Sequence, residues 1–227
     1  MEKKELQIVL LERFLISLYK MFKKLPLIIF LLSLITLISF LPLSVIAGEE
    51  TAVFAGGCFW CLEHDLEAIQ GVLSVESGYS GGEISTPTYK NHDGHQEVVR
   101  VHFDNKLIDY SQLLRNYWRN VDPLDGFGQF CDRGDSYRAV IFANSSEQKE
   151  EAFKSIKQAS KELGEPIENI QVKITSLEKF WLAEDYHQDF AERNSVKYKF
   201  YRYSCGRDAR LKSLWGKKSR TGEEWKR

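Results

Sequence analysis

The chain has 227 residues, with 31 Lys or Arg against 32 Asp or Glu, so its net charge is −1. Hydrophobic residues make up 43% of the sequence, which is enough to build a packed core. The balanced charge excludes the strongly basic face that nucleic-acid binding requires. We therefore expect a globular domain that does not bind nucleic acid.

An apolar segment lies near the N-terminus. Lys23 and Lys24 precede an uncharged stretch, residues 25–47, that ends in small residues. A basic start, an apolar middle and a small-residue exit are typical of a secretory signal. The stretch is also long enough to be an uncleaved membrane anchor.

This segment sets the expected domain bounds. We expect residues 1–47 to be a leader, with Met21 as an alternative start, and residues 48–227 to be one catalytic domain. Either form of the leader predicts an exported protein, with its domain in the periplasm or elsewhere outside the cytoplasm.

The domain itself alternates irregularly between strand and helix patterns. In chain order we expect a strand at 51–55, a helix from about 58 to 71, and strands at 72–79 and 97–103. A helix at 110–121, a strand at 137–142, a helix from 145 to 164, a strand at 170–177 and a helix or helical turn at 180–194 follow. The remaining residues have no clear period. This order predicts an α+β fold, a mixed sheet with helices packed on it.

Residues 56–61 read GGCFWC and place a thiol at the first turn of a helix, directly after a strand. Unpaired N–H groups and the helix dipole stabilise an anion at that position, so we expect Cys58 to have a lowered pKa and to act as a nucleophile. Phe59 and Trp60 add rigid apolar surface that suits a small apolar group. The alternative is that Cys58 is a buried structural residue.

The four cysteines allow two other interpretations. Cys58 and Cys61 form a C-x-x-C, which suggests a thioredoxin-like disulfide oxidoreductase. All four, including Cys131 and Cys205, could instead form two structural disulfides in an exported binding module. We expect no metal site, because Cys131 and Cys205 offer no second closely spaced pair.

Five motifs occur in order along residues 51–194. They are GCFWC at 57–61, GYSGG at 78–82 with PTY at 87–89, GHQEVVRV at 94–101, QFCD at 129–132 with SYR at 136–138, and AEDYHQ at 183–188. Together they resemble the A-type peptide methionine sulfoxide reductase family. The resemblance implies a ferredoxin-like α/β sandwich that reduces the S epimer of methionine sulfoxide, peptide-bound or free, without metal or organic cofactor.

The resemblance also implies residue roles. Cys58 would attack the sulfoxide sulfur, and Glu97, with its pKa raised by partial burial, would supply a proton to the oxygen. Tyr89 and Tyr137 would donate hydrogen bonds to that oxygen. The full set that the resemblance places around the substrate is Phe59, Trp60, Tyr89, Asp132 and Tyr137.

Attack would leave Cys58 as a sulfenic acid, which a second thiol would convert to an intramolecular disulfide. The resemblance favours Cys205 as that resolving thiol, and Cys61 and Cys131 are the alternatives. The family usually draws electrons from thioredoxin, so an exported member implies a membrane-fed, thioredoxin-like donor. We expect a monomer that acts on oxidised proteins and peptides and on free methionine sulfoxide.

Overall fold

A computed structural model describes residues 48–225, together with Arg13, Ile16, Ser17 and Lys20 of the N-terminal segment. Ala47–Arg227 form a compact unit of their own. Apart from those four residues, the predicted leader lies outside the described part of the chain. No helix among the described residues combines the length and apolar character needed to cross a membrane.

The strands form one large sheet and one small hairpin. They are β1 (Glu49–Ala55), β2 (Val72–Ser80), β3 (Gln96–Asp104), β4 (Gly128–Gln129), β5 (Asp132–Arg133), β6 (Val140–Ala143), β7 (Lys173–Ser176) and β8 (Trp181–Leu182). The large sheet has the order β7-β6-β1-β3-β2-β8, and β4 pairs with β5. Only the β6–β7 pair of the large sheet is parallel, so the sheet is mixed.

Six α-helices accompany these strands in the described part of the chain from residue 48 onward. They are α1 (Phe59–Glu67), α2 (Tyr110–Trp118), α3 (Ser146–Leu163), α4 (Phe190–Arg193), α5 (Ser195–Ser204) and α6 (Arg207–Trp215). Short 3-10 turns cover Asp135–Tyr137, Ile167–Asn169 and Gly216–Lys218. The chain order β1–α1–β2–β3–α2–β6, with the spatial order β6-β1-β3-β2, is the ferredoxin-like arrangement. The predicted α+β fold with helices packed on a mixed sheet is therefore confirmed.

Alternation along β3 decides which side chains face the helices. Val99, Val101 and Phe103 belong to the main core, together with apolar residues of α1 and α2, whereas Val98 belongs to a smaller cluster. Glu97 lies two residues before Val99, so its side chain points to the same face of the sheet as Val99, Val101 and Phe103. It is therefore buried, at 2% exposure. The sheet thus carries one carboxyl group into the interior.

The helix at 145–164 follows its sequence signals closely. The Ser145 side chain accepts a hydrogen bond from the Gln148 amide, and Gly164 ends the helix in a left-handed conformation. The Gln148 side chain, however, accepts from the amide of Asn144 rather than of Ser145, so the capping box is only half formed.

The structure of the second half of the domain differs in detail from what the sequence pattern indicated at three places. The strand expected at 137–142 begins at Val140, because Tyr137 lies in a 3-10 turn. The helix or helical turn expected at 180–194 is confined to the single turn of α4, since Trp181 and Leu182 pair with the edge of β2. The C-terminal residues, in which the sequence shows no clear period, form α5 and α6.

Candidate active site

The nucleophile expected from sequence lies in the tight turn between β1 and α1. Gly57 has φ +84°, and a Cβ at that position would lie 2.7 Å from Cβ of Gln129, so a side chain would strain the turn. Cys58 is the residue that precedes the first turn of α1. The turn therefore holds the thiol at the end of the sheet where Glu97 enters the core.

One small cavity of about 60 Å³ contains the predicted site. Its lining residues are Cys58, Phe59, Trp60, Tyr89, Glu97, Asp132, Tyr137 and Tyr201. The predicted nucleophile, acid and five substrate contacts thus converge, although they come from four separate stretches of sequence. Larger clefts elsewhere on the described surface, of about 670 and 800 Å³, contain none of these side chains.

The carboxyl group of Glu97 is held at the N-terminus of α1. The Phe59 amide donates a hydrogen bond of 3.1 Å to its Oε2 atom. Burial nevertheless dominates and raises the pKa of Glu97 to about 8, with a further contribution from the charge of Asp132, while contacts with the Phe59 amide and Tyr137 oppose the rise. Glu97 is therefore mainly protonated at neutral pH, as an acid catalyst must be.

The expected lowered pKa of Cys58 is wrong for this structure. Burial raises the pKa of the Cys58 thiol well above its usual range, and the neighbouring Cys61 and Glu97 raise it further. A hydrogen bond with Tyr201 opposes this rise only in part. The physical reason is that the first free amide of α1 is taken by Glu97 and the thiol has little access to water.

The pair Cys58–Cys61 is electrostatically asymmetric. Hydrogen bonding with Cys58 lowers the pKa of Cys61 despite its burial, and the positive charges of Arg207 and Arg202 lower it further. Both cysteines are free thiols and buried.

Asp132 connects the nucleophile to the C-terminal helices. Its Oδ2 accepts a hydrogen bond of 2.6 Å from the Tyr201 hydroxyl, and its carboxylate also accepts from the Cys58 amide. Burial raises the pKa of Asp132, against the opposing effects of Tyr201 and Arg207. The same Oδ2 lies 4.0 Å from Sγ of Cys205. Asp132 therefore lies between the nucleophile and the favoured resolving cysteine.

The aromatic wall of the cavity is fixed by the fourth and fifth helices and the loop before them. The Trp60 indole donates a 3.0 Å hydrogen bond to Nδ1 of His187 and stacks on Phe190 at 3.7 Å between ring centroids. The Tyr89 amide donates to Oε1 of Glu184, which holds the half-exposed Tyr89 ring over the site. These contacts leave the two rings little freedom to move.

The remaining two cysteines are joined. Cys131 and Cys205 form a disulfide with sulfur atoms 2.06 Å apart, although 74 positions separate them in sequence. Cys131 is exposed and Cys205 is partly buried. The pairing links the active-site loop to the start of α6.

Donor atoms of Cys131, Asp132 and Cys205 lie within 4.8 Å of one another, the geometry of a small metal site. Both sulfurs are committed to the disulfide, however, and metal ligation by cysteine requires the thiolate. These three residues therefore fit redox chemistry better than metal binding in this state.

Sequence reasoning missed two important residues. Tyr201 lines the cavity, and the buried guanidinium of Arg207 donates to the carbonyl groups of Gly56 and Asn120 and lies 4.5 Å from the Phe130 ring centre. Arg207 thus supports both the nucleophile turn and the Cys131 loop. The helical spacing of buried Tyr198 and Arg202 was the available signal, but no apolar period accompanied it.

Fold and site together define a thiol-dependent oxidoreductase. A buried thiol faces a protonated carboxyl and two tyrosine hydroxyls across a cavity with an aromatic wall, and an accessible disulfide lies beside it. A family model described as peptide methionine sulfoxide reductase matches residues 50–219. The chain therefore belongs to the peptide methionine sulfoxide reductase family and reduces methionine sulfoxide.

Relatives and solved structures agree with this assignment. The chain is 52% identical to peptide methionine sulfoxide reductase MsrA 2 of Caulobacter vibrioides, covering 74% of this chain and 86% of that protein. It is 46% identical to MsrA 2 of Rhizobium meliloti, covering 81% and 92%. Reduced Mxr1 of Saccharomyces cerevisiae is a similar structure (TM-score 0.61, 28% identity, covering 66% of this chain and 88% of that one). Methionine sulfoxide reductase A of Corynebacterium diphtheriae also has a TM-score of 0.61, with 26% identity and coverage of 66% and 76%.

The pKa of Glu97 gives a prediction for the pH dependence. Because the protonated carboxyl is the reactive form, the first-turnover rate constant should be level near pH 6–7 and fall about tenfold per unit above about pH 8. Glu97→Gln should lower this constant by about 10² to 10⁴ and remove the fall near pH 8, because the amide has no proton to lose. Rapid-quench measurement of methionine formation by the reduced enzyme checks both; an unchanged profile in Glu97→Gln would contradict the role.

Proposed function

We propose that this enzyme reduces the S epimer of methionine sulfoxide, free and in oxidised proteins and peptides, with Cys58 as the nucleophile and Glu97 as the acid. The observation that carries the proposal is the single cavity in which the thiol and the protonated carboxyl meet the Tyr89 and Tyr137 hydroxyls. All of these groups come from one chain, so we also propose that the enzyme acts as a monomer.

The first step transfers two protons, one from the carboxyl group of Glu97 and one from the thiol of Cys58. As Sγ of Cys58 forms a bond to the sulfoxide sulfur, the carboxyl of Glu97 gives its proton to the oxygen and receives the thiol proton. The hydroxyl group then passes to Cys58 as the bond between the substrate sulfur and its oxygen breaks. Methionine leaves, Cys58 is a sulfenic acid, and Glu97 is protonated again.

The pocket supplies a reason for selecting one epimer. Sulfoxide sulfur is pyramidal, with an oxygen, a methyl group and the rest of the side chain as its substituents. Oxygen held by Tyr89 and Tyr137 and methyl held by Phe59 and Trp60 present one face of the sulfur to Cys58. If the opposite epimer presents its sulfur to Cys58 in the same way, its methyl group and its oxygen exchange places. The methyl group then lies beside the tyrosine hydroxyls, which are left without an acceptor.

The disulfide supports an internal exchange. We propose that Cys205 attacks the sulfenic acid and releases water, which gives a Cys58–Cys205 disulfide. Cys131 then attacks Cys205, so that Cys58 leaves as a thiol and the Cys131–Cys205 pair forms. The 4.0 Å approach of Cys205 to Asp132, which contacts Cys58, and the Cys131–Cys205 bond itself support this order. Cys61 is retained as the competing resolving thiol.

Epimer-resolved turnover tests the function. With dithiothreitol as reductant, the full chain should convert a peptide with the S sulfoxide and leave the R sulfoxide unchanged, because only S aligns with the pocket. Cys58→Ser should lose activity by at least about 10³-fold, since Cys58 is the thiol that lines the cavity together with Glu97. Cys61→Ser is the matched control and should keep its first turnover; if it instead abolishes turnover, the C-x-x-C oxidoreductase alternative is favoured.

Methionine yield without any reductant tests the cysteine exchange. The reduced enzyme should release about two methionines per chain, because the Cys131–Cys205 bond frees Cys58 for a second attack. Cys131→Ser should release about one, since Cys58 stays in its disulfide with Cys205. Peptide mapping of the product disulfides identifies the pairs, and two methionines from Cys131→Ser would exclude Cys131 from the exchange.

We also propose that the domain is exported and is reduced there by a thioredoxin-like protein. The uncharged stretch 25–47 after two lysines supports export. Fractionation of a bacterial host that expresses the full chain should place the activity outside the cytoplasm. The mass of the active protein should correspond to a chain that starts near Gly48. Activity in the cytoplasmic fraction would contradict export, and an extracytoplasmic protein of full mass would instead indicate an uncleaved anchor.

A further inference from the structure

The carboxylate of Asp132 lies among three of the four cysteines. Its Oδ1 atom is 3.8 Å from Sγ of Cys131, and its Oδ2 atom is 4.0 Å from Sγ of Cys205. The same carboxylate accepts a hydrogen bond from the backbone amide of Cys58. Each carboxylate oxygen therefore faces one sulfur of the disulfide, within reach of an S–H···O hydrogen bond once that disulfide is reduced.

The hydroxyl group of Tyr201 connects this carboxylate to the nucleophile. It donates a hydrogen bond of 2.6 Å to Oδ2 of Asp132, and it also forms a hydrogen bond with the side chain of Cys58. A tyrosine hydroxyl is both a donor and an acceptor, so it can pass a proton from one neighbour to the other. A continuous path of hydrogen-bonding groups thus runs from the sulfurs of Cys131 and Cys205, through Asp132 and Tyr201, to Cys58.

The cysteine exchange needs such a path because every step in it moves a proton. A thiol must lose its proton before its sulfur can attack, and the group that leaves must gain one. Cys58 is only 6% exposed and lines a cavity of about 60 Å³, so bulk water has little access to the sulfur from which the leaving group departs. An internal group that accepts a proton and returns it meets this requirement.

From these contacts we propose that Asp132 is a catalytic acid–base residue of the cysteine exchange, which takes the proton of each attacking thiol and returns it, through the Tyr201 hydroxyl, to Cys58 or its leaving group. This inference rests on the proposed function, in which a second and then a third cysteine attack in turn. It divides the proton transfers between two carboxyl groups, because Glu97 serves the sulfoxide step and Asp132 serves the thiol steps.

The first exchange step uses the Oδ2 atom of Asp132. As Sγ of Cys205 forms a bond to Sγ of the Cys58 sulfenic acid, the thiol proton of Cys205 moves to this oxygen. The Tyr201 hydroxyl gives its proton to the hydroxyl group on Cys58, the sulfur–oxygen bond breaks, and the hydroxyl group leaves as water. Tyr201 then recovers its proton from Asp132, so both groups return to their starting state.

The second exchange step uses the Oδ1 atom. Sγ of Cys131 attacks Sγ of Cys205, the thiol proton moves to Oδ1 of Asp132, and the Cys58–Cys205 bond breaks. Cys58 leaves as a thiolate and takes up the proton of Tyr201, which Asp132 replaces. One disulfide and one thiol are thus converted into another disulfide and another thiol, and no proton is gained from water or lost to it.

The surroundings of Asp132 suit a group that gains and loses a proton. Burial raises the pKa of its carboxyl, while the hydrogen bond from Tyr201 and the charge of Arg207 oppose the rise. A carboxylate with a raised pKa accepts a thiol proton more readily than an exposed aspartate does. Besides the three cysteines, the titratable side chains that interact with this carboxyl also include Glu97, Tyr89 and Tyr137.

Single-turnover kinetics separate the exchange from sulfoxide reduction. The reduced full chain is mixed with a saturating S-sulfoxide peptide without any reductant, and samples are quenched at intervals. Methionine reports the first step, and the internal disulfides found by peptide mapping, after alkylation of the free thiols, report the exchange. Dimedone added at each interval traps the Cys58 sulfenic acid that persists between the two.

Asp132→Asn keeps the size of the side chain but removes its basic group. The rate constant for disulfide formation should fall by at least about 10²-fold, the usual contribution of an acid–base catalyst, and trapped sulfenic acid should accumulate. Methionine formation should fall by a smaller factor, because Glu97 still supplies the proton for that step. Asp132→Glu, which restores the carboxylate, should recover part of the exchange rate.

A matched control and a second variant test the path itself. Asp135→Asn changes a carboxylate of the same loop that pairs with Arg138 and is 71% exposed, so it should alter neither step. Tyr201→Phe removes the hydroxyl but leaves Asp132 in place, so it should also slow disulfide formation and let sulfenic acid accumulate.

The pH profile is a readout that a structural role would not move. In the unchanged chain the rate constant for disulfide formation should be level across neutral pH, because the carboxylate takes the thiol proton. In Asp132→Asn it should rise about tenfold per pH unit, because the attacking thiolate must then form by loss of its proton to water.

The outcomes separate this inference from the function on which it rests. An unchanged rate constant for disulfide formation in Asp132→Asn would overturn the role of Asp132. Equal slowing of both steps with an unchanged pH profile would also overturn it and would indicate a structural role, and the reductase function would stand in either case. Methionine without any internal disulfide in the unchanged chain would refute the cysteine exchange, and no methionine at all would refute the proposed function.

Discussion

The hydrogen bond from the Phe59 amide to the Glu97 carboxyl joins the first turn of α1 to β3, and the chemistry of the site depends on it. It places the acid beside the nucleophile without the need for a separate anchoring residue. It also uses the anion-binding end of the helix for a carboxyl group that burial keeps protonated. The consequence is a resting site in which the carboxyl is mainly protonated and the raised pKa of Cys58 keeps its thiol protonated as well. Substrate, rather than the helix dipole, must then promote the loss of the thiol proton.

The C-terminal helices complete this site from the other side. Tyr201 of α5 reaches the Asp132 carboxylate, and Arg207 at the start of α6 donates to the carbonyl of Gly56. Tyr201 lies four residues before Cys205 and Arg207 lies two residues after it. The segment that carries the second thiol therefore also supports the nucleophile turn. The hydrogen bond with Cys58 lowers the pKa of Cys61, and the buried guanidinium of Arg207 lowers it further; the same guanidinium partly opposes the rise that burial causes in the pKa of Asp132. The C-terminal segment is therefore a structural part of the active site.

Burial divides the four cysteines into two functional pairs. Cys58 and Cys61 are enclosed, which protects a sulfenic acid from bulk reactants, whereas the Cys131–Cys205 bond is reached from solvent. A large reductant cannot enter a cavity of about 60 Å³. An oxidised Cys58 must therefore be reduced by disulfide exchange with cysteines that lie closer to the surface. Asp132, in contact with the Cys58 amide and 4.0 Å from Cys205, marks where the two pairs approach.

The sequence by itself determined the α+β class with its mixed sheet, and its motifs, through their resemblance to the family, implied the ferredoxin-like core and most of the cavity. Period-two alternation in β3, helix caps such as Ser145 and Gly164, and the order of five motifs are local signals, and local patterns survive folding when packing agrees with them. The tertiary structure alone decided the Cys131–Cys205 pairing, the Tyr201 and Arg207 contacts and the raised pKa of Cys58. Pairing across 74 positions, burial and competition for one helix amide depend on where distant segments meet, and no spacing within a single segment encodes that.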